Sequence, residues 1–242
     1  MSEVIPPVET GYLNKPVAFA REIVQQSQGR TVVFSGAGLS VGSGIPDYRT
    51  KDNAFWKTFD PEKYGSAAGW HKDPKGFREA YAVLRDKAKQ LRPNAAHEAI
   101  HKSMHVHAHI TQNVDGLGSP GFYDDERLEP HHFLELHGSI HRETFCDMQQ
   151  EWRPDVCLFG EQPDVEVFEA ASNAIEKATV LIIVGTGGEV FPAGALVDQF
   201  CLGNAHGEND LIIVNESPTN WDKLATVVIR EPCELVLPGI LQ

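Results

Sequence analysis
The chain has 242 residues, 41% hydrophobic and 23% charged, which is enough apolar side chain for one sizeable core and excludes disorder, a collagen-like array or a multidomain assembly. Lysine and arginine total 21 against 34 aspartates and glutamates, a formal charge of −13 that repels a phosphate backbone, so no nucleic-acid partner is expected. No apolar run approaches the roughly 20 residues that cross a bilayer, and Met1 to Glu9 carry acids and prolines where a signal peptide needs a basic and then an apolar stretch. A cytoplasmic protein with no membrane partner is the expectation. Cys146, Cys157, Cys201 and Cys233 form no C-x-x-C pair, which predicts neither a disulfide framework nor a zinc knuckle.

In chain order, residues 1–16 are polar and Pro-containing and read as an N-terminal extension, with a single domain expected over 17–242. Val17 to Gln28 reads as an amphipathic helix, and Thr31 to Phe34 as a short buried strand ending in glycines. Phe77 to Gln90 and Asn94 to Ser103 are helical in pattern. Val106 to Thr111 alternates and runs into Gln112-Asn113-Val114-Asp115, a polar string at a strand's carboxyl end. Val180 to Val184 and Leu211 to Val214 are continuous β-rich runs separated by a helix-compatible segment, Gly194 to Leu202. This alternation predicts an α/β fold, a Rossmann-like doubly wound parallel sheet with helices on both faces. Ligands of such sheets bind outside the carboxyl ends of the strands, where every polar landmark falls.

The first strand opens into Ser35-Gly36-Ala37-Gly38-Leu39-Ser40-Val41-Gly42-Ser43-Gly44. Glycines here let backbone N–H groups approach a pyrophosphate, but Val41 stands where the dinucleotide fingerprint G-x-G-x-x-G has its third glycine. Ile45-Pro46-Asp47-Tyr48-Arg49 then interrupts any crossover helix at Pro46. Together these residues resemble the signature of the sirtuins, the NAD-consuming protein-lysine deacylases. Further segments agree in order: Thr111 to Leu117, Leu136-His137-Gly138-Ser139, Phe159-Gly160-Glu161, Gly185-Thr186-Gly187 and Val214-Asn215-Glu216. The resemblance spans Val17 to about Leu241.

The resemblance implies NAD as co-substrate and an acyl-lysine protein or peptide as partner. The enzyme would break the nicotinamide–ribose bond and transfer the acyl group to ADP-ribose. It implies His137 as general base on a ribose hydroxyl, a task suited to an imidazole, and Asn113 as the group that bonds the ribose hydroxyls or orders a water. Cofactor contacts are implied for Gly36, Ala37, Gly38, Ser40, Ile45, Gln112, Asn113, Val114 and Asp115, and for Gly185, Thr186 and Gly187 on the phosphate side. Asp47, Tyr48 and Arg49 would form a flap over the cofactor, Tyr48 standing where the family commonly has Phe. Asn215 and Glu216 would hold the adenosine ribose and Cys233 would back the adenine. For the substrate, Val156 and a strand Leu158-Phe159-Gly160-Glu161, facing Glu189 to Pro192 and so Val190, would pair with an extended peptide by β-augmentation. Acid-preferring relatives carry a Tyr-x-x-Arg pair that Asn53 to Thr58 lack, which favours a neutral acyl group such as acetyl.

Relatives also carry two C-x-x-C pairs between the histidine motif and the substrate segment, forming a zinc-bound lobe. Here Cys146 stands alone, with Gln149 in its partner's place. A tetrahedral site needs four ligands, so no zinc is predicted and the small lobe, drawn from about 45–80 and 139–156, is expected to be truncated. His97-Glu98-Ala99-Ile100-His101 also fits H-E-x-x-H, the zinc-protease helix. It resembles instead an ordinary sirtuin helix opened by Pro93-Asn94, and Met104 occupies the glycine position of a metzincin. His97, His101, His105, His107 and His109 are then read as a helix face and strand surface. Two alternatives to the deacylase stay open: an enzyme that hydrolyses NAD or transfers ADP-ribose to protein, and an NAD sensor without turnover.

Overall fold
Five polypeptide stretches, residues 14–45, 61–122, 133–147, 150–203 and 208–242, are described by a computed structural model. Six parallel strands form its main sheet: β1 Thr31–Ser35, β2 Val106–Thr111, β3 Phe133–Glu135, β6 Val180–Val184, β7 Asp210–Val214 and β8 Val227–Ile229. Their order is β3-β2-β1-β6-β7-β8, with every neighbouring pair parallel. Counted among themselves, the strands run 3-2-1-4-5-6, the doubly wound Rossmann order, which reverses between β1 and β6.

The continuous apolar runs predicted this burial. All five residues of β1 and of β6 are buried, because alternate side chains enter cores on opposite faces. On one face Val33, Ile182, Val184, Ile212 and Val214 meet helices α1 Asn14–Gln26, α5 Ala95–Lys102 and α8 Cys233–Ile240. On the other, Val32, Phe34, Ile110, Leu181, Ile183 and Ile213 meet α6 Val165–Lys177 and α7 Ala193–Gly203. Helix α1 begins ahead of the predicted Val17, taking in Asn14 to Pro16. Pro16 lies in the first turn, where a missing N–H breaks no intrahelical bond.

A third core carries the small lobe. The antiparallel hairpin β4 Gly138–Cys146 and β5 Glu151–Val156 packs Ile140 and Val156 against Trp70, Phe77 and Tyr81. Those aromatics lie on α3 Ala67–Lys72 and α4 Pro74–Ala88, behind the short α2 Pro61–Tyr64. Trp70 meets Phe77 edge-on at 5.2 Å and Phe77 stacks on Tyr81 at 4.5 Å. The strands are joined through residues 147–150, too short a link for a ribbon bearing two C-x-x-C pairs. Among the described residues no group of three His, Cys, Asp or Glu side chains could hold a metal ion, and no helix is long and apolar enough to cross a membrane.

Two expectations need correction here. Leu158–Glu161 is not a strand: Phe159 makes one isolated bridge to Ser66, and Glu161 N–H closes a turn on Leu158 O at 2.9 Å. Nor are the histidines of α5 and β2 uniformly surface groups, since His97, His101 and His109 are buried. In the H-E-x-x-H segment His97 Nδ1 accepts the Asn94 N–H that completes a capping box, and Glu98 pairs with Lys102 at 2.9 Å.

Candidate active site
Ladder hydrogen bonds continue past the strand ends and place the polar motifs in a row. Leu136 N–H donates to Thr111 O at 2.9 Å, Gln112 N–H to Ser35 O at 2.9 Å, Gly36 N–H to Val184 O at 3.0 Å, Gly185 N–H to Val214 O at 3.1 Å and Asn215 N–H to Ile229 O at 3.1 Å. His137 therefore lies at one end of the sheet's carboxyl edge, and Asn215 and Glu216 lie past β7, one strand in from the other. At the usual inter-strand spacing, β3 to β7 spans roughly 19 Å. The turning point of strand order, between β1 and β6, lies in the middle, where such folds open a crevice for a dinucleotide.

The glycines at that point serve loop-to-loop contact. Gly38 N–H donates to Gly185 O at 2.9 Å, and a Cβ on Gly38 would lie 2.5 Å from Gly185 Cα. Gly185 itself has φ +63, and its Cβ would lie 2.4 Å from Leu39 N. The Cys233 thiol sits 3.7 Å from Gly38 O and is buried; burial, reinforced by Glu234, pushes it up to about 12, so it is a neutral donor and no nucleophile. Thr186 Oγ1 accepts from Gln112 Nε2 at 3.2 Å, and Gly187 O accepts Asn220 N–H. Ala37 opens the 3-10 turn Ala37–Ser43, and Ile45 N–H returns to Ser40 O.

A buried polar chain lies beside this crevice. Asn113 Nδ2 donates to Gly36 O and to Ser40 Oγ, both at 3.1 Å, and Ser40 Oγ donates to Asp115 Oδ2 at 2.7 Å. With both amide hydrogens used, Asn113 keeps Oδ1 as an acceptor. Asp115 Oδ1 accepts Leu117 N–H at 2.9 Å. Burial raises the Asp115 carboxyl above its ordinary range, opposed by the bonds from Ser40 and Leu117. Val114 O accepts Ile140 N–H, tying the turn to β4.

His137 Nδ1 lies 3.0 Å from the Gln112 carbonyl. A carbonyl only accepts, so Nδ1 carries the proton and Nε2 keeps its lone pair, the tautomer a general base requires. Burial lowers the imidazole below its ordinary value, the Gln112 bond opposing. At neutral pH it is uncharged.

Asn215 Nδ2 donates to Ser217 O while its own carbonyl accepts Arg230 Nη1, so its side chain shapes the turn that leaves Glu216 exposed. Val156 is buried, and Phe159 and Gly160 are exposed. Val190 stands before α7, its carbonyl accepting Gly194 N–H. Asp47, Tyr48 and Arg49 lie outside the described residues.

Three supporting side chains carried no motif signal. His109 Nε2–H bonds Ser35 Oγ at 2.8 Å, Ser35 Oγ donates to Thr111 Oγ1 at 3.0 Å, and Thr111 Oγ1 accepts Asn113 N–H at 3.1 Å. His141 Nε2–H donates to Asp115 O at 2.9 Å, and its ring lies so close to Gly116 that a Cβ there would sit 2.7 Å from Cδ2. Arg153 binds Glu161 at 2.8 Å. His109 and His141 act between segments distant in sequence, and Arg153 across a turn to a residue 8 positions on, which no local pattern announces.

The sheet order and this edge define a nucleotide-binding α/β protein with an Nδ1-anchored imidazole at one end of its crevice. The chain belongs to the Sir2 family, whose model matches residues 36–152 and 142–192. It is 34% identical to an NAD-dependent protein deacylase of Aeropyrum pernix over 82% of this chain and 86% of that one. It is also 34% identical to an NAD-dependent protein deacetylase of Saccharolobus solfataricus over 92% and 94%. A crystal structure of a Sir2 homologue in complex with NAD superposes with a TM-score of 0.73 at 27% identity, covering 91% of this chain and 92% of that one.

Proposed function
We infer that this chain is an NAD-dependent protein-lysine deacylase of the cytoplasm, acting on a neutral acyl group such as acetyl. Its catalytic domain runs from α1 to the C-terminus, with the reduced small lobe drawn from about 45–80 and 139–156. The observation that carries the reading is His137: proton on Nδ1, lone pair on Nε2, at the end of the carboxyl edge whose midpoint is the glycine crevice.

The residues present suit NAD. Ser43 Oγ is buried without a hydrogen-bond partner among the described residues, an orphan that a bound polar ligand would satisfy. Asn113 Oδ1 offers an acceptor to ribose hydroxyls, Asp115 holds the nicotinamide side, Gly36, Gly38, Ser40 and Thr186 line the phosphates, and Glu216 meets the adenosine ribose. NAD supplies the nicotinamide–ribose bond whose cleavage drives acyl transfer. His137 Nε2 takes a proton from a ribose hydroxyl, and Asn113 orients that hydroxyl. Val156, Phe159 and Gly160 receive the acyl-lysine peptide.

The test is nicotinamide release with and without an acetyl-lysine peptide, for the wild type and for His137→Tyr. Wild type should release nicotinamide and deacetylated peptide together, and His137→Tyr should lose deacetylation by about a hundredfold or more, the scale of a general base, while still binding NAD. Full deacetylation by the variant removes His137 as the base. Peptide-independent release of free ADP-ribose by the wild type selects the hydrolase instead.

A further inference from the structure
The turn assigned to the peptide is held by a side chain outside the motif roles. Arg153, on β5, is 12% exposed at its side chain and its partner Glu161 27%. Arg153 Nη2 donates to both Glu161 carboxylate oxygens at 2.8 and 2.9 Å, and Nη1 to Val156 O at 3.4 Å. Glu161 Oε2 also accepts Leu158 N–H at 3.0 Å. The Phe159 backbone is occupied on its other side, its N–H on Gly65 O and its C=O under Ala67 N–H. One charge-assisted pair thus pins the turn Leu158–Glu161 at both ends.

The same strand is in register with the base. Gly138 pairs with Val156, and Cys157 N–H donates to the carbonyl of His137 at 2.9 Å. What the turn presents outward is the Phe159 ring, 66% exposed, and Gly160. Gly160 has φ +95 and open space where a Cβ would project, and its N–H and C=O take no hydrogen bond among the described residues. With Leu158, Phe159 and Glu161 engaged internally, Gly160 is where this turn can meet an incoming main chain.

We propose that Arg153 is the positioning residue of the acyl-peptide site. Through Glu161 it holds the turn at a fixed height relative to His137, so that a peptide seated on Gly160 presents its acyl-lysine to the imidazole. This rests on the deacylase reading above and assigns Glu161 to shaping the turn instead of touching substrate. Arginine suits the task because its charge does not titrate and one planar head satisfies several acceptors at once.

The experiment uses the full chain with NAD and a fluorescent acetyl-lysine peptide, reading direct peptide binding and steady-state turnover for wild type, Arg153→Lys, Arg153→Ala and Glu161→Gln. Arg153→Ala should raise peptide Kd and KM by at least about tenfold, with kcat at saturating peptide and KM for NAD changed by less than about twofold. Arg153→Lys should recover part of the loss, since a point charge still reaches the carboxylate, and Glu161→Gln should show the same peptide-selective change. If the alanine variant does not fold, judged by circular dichroism, the lysine and glutamine variants decide. An unchanged peptide KM in folded variants, or a loss shared equally by NAD and peptide, overturns the proposal. A wild type that binds the peptide without deacylating it contradicts the functional reading and leaves Arg153 readable by binding alone; one that does not bind it overturns both.

Discussion

At the scale of single residues, the proposed chemistry turns on which nitrogen of His137 holds the proton. The Gln112 carbonyl is a main-chain group fixed by its own ladder bond to Ser35, so the tautomer is set by backbone and survives side-chain motion. Burial lowers the imidazole's affinity for protons. As the proposed base it is therefore active while neutral, above its folded pKa, and this activity is lost as pH falls through a value under the ordinary 6.5 or so. The acid limb of kcat/KM for NAD, followed from about pH 4 to about pH 8, should have its midpoint below that ordinary value. A midpoint at or above it contradicts the buried, Nδ1-anchored imidazole. The juxtaposition of His137, Asn113, Ser40 and Asp115 at one strand edge could be expected from the chain because each belongs to a short motif. The contacts of His109, His141 and Arg153 could not, since their partners Ser35, Asp115 and Glu161 are joined to them only by folding.

Among elements, legibility followed burial. Strands β1, β6 and β7 are continuous apolar runs because helices cover both faces of the sheet, and α5 is announced by its Asn94 cap. Hairpin β4–β5 was hidden by chemistry: His141, Arg142 and Glu143 are consecutively exposed, the register shifts between Ser139 and Glu143, and Pro154 interrupts β5. Proline is tolerated there because each strand of a two-stranded sheet is an edge. Helix α6 did carry a signal, Asp164 accepting from Glu166 and Val167 N–H ahead of a helical apolar pattern, whereas β3 and β8, at three residues each, offer no period to read.

The packing of α5 on β2 also makes a prediction. His97 and His109 are buried neutral, pushed down by burial to about 4 and about 3, with mutual repulsion adding to the lowering at His109. Unfolded, both return to about 6.5. Their neutral packing contributes its full stability above that value, and the contribution is lost as pH falls from about 6.5 toward the folded values, at up to about 1.4 kcal/mol per pH unit for each group. Thermal unfolding should show Tm falling through this window, and His109→Gln, which removes one of the two titrating groups, should flatten the fall. A Tm that is flat from about pH 6.5 to about pH 4 would show that neither ring charges on unfolding.

For the molecule as a whole, one sheet edge organises the function. In spatial order across the fold, five strands deliver the His137 imidazole, the amide and carboxylate of Asn113 and Asp115, the glycine crevice and the Glu216 carboxylate. The small lobe is a hairpin that packs by aromatic contacts, and that hairpin bonds the Asp115 turn through His141 and the Glu161 turn through Arg153. Strands β4 and β5 thus join these two turns to each other. The most direct measurement is mass spectrometry of the products formed from NAD and an acetyl-lysine peptide. The structure predicts nicotinamide, free-lysine peptide and acetylated ADP-ribose in equal amounts; unmodified peptide beside free ADP-ribose, or intact NAD after prolonged incubation, would contradict it.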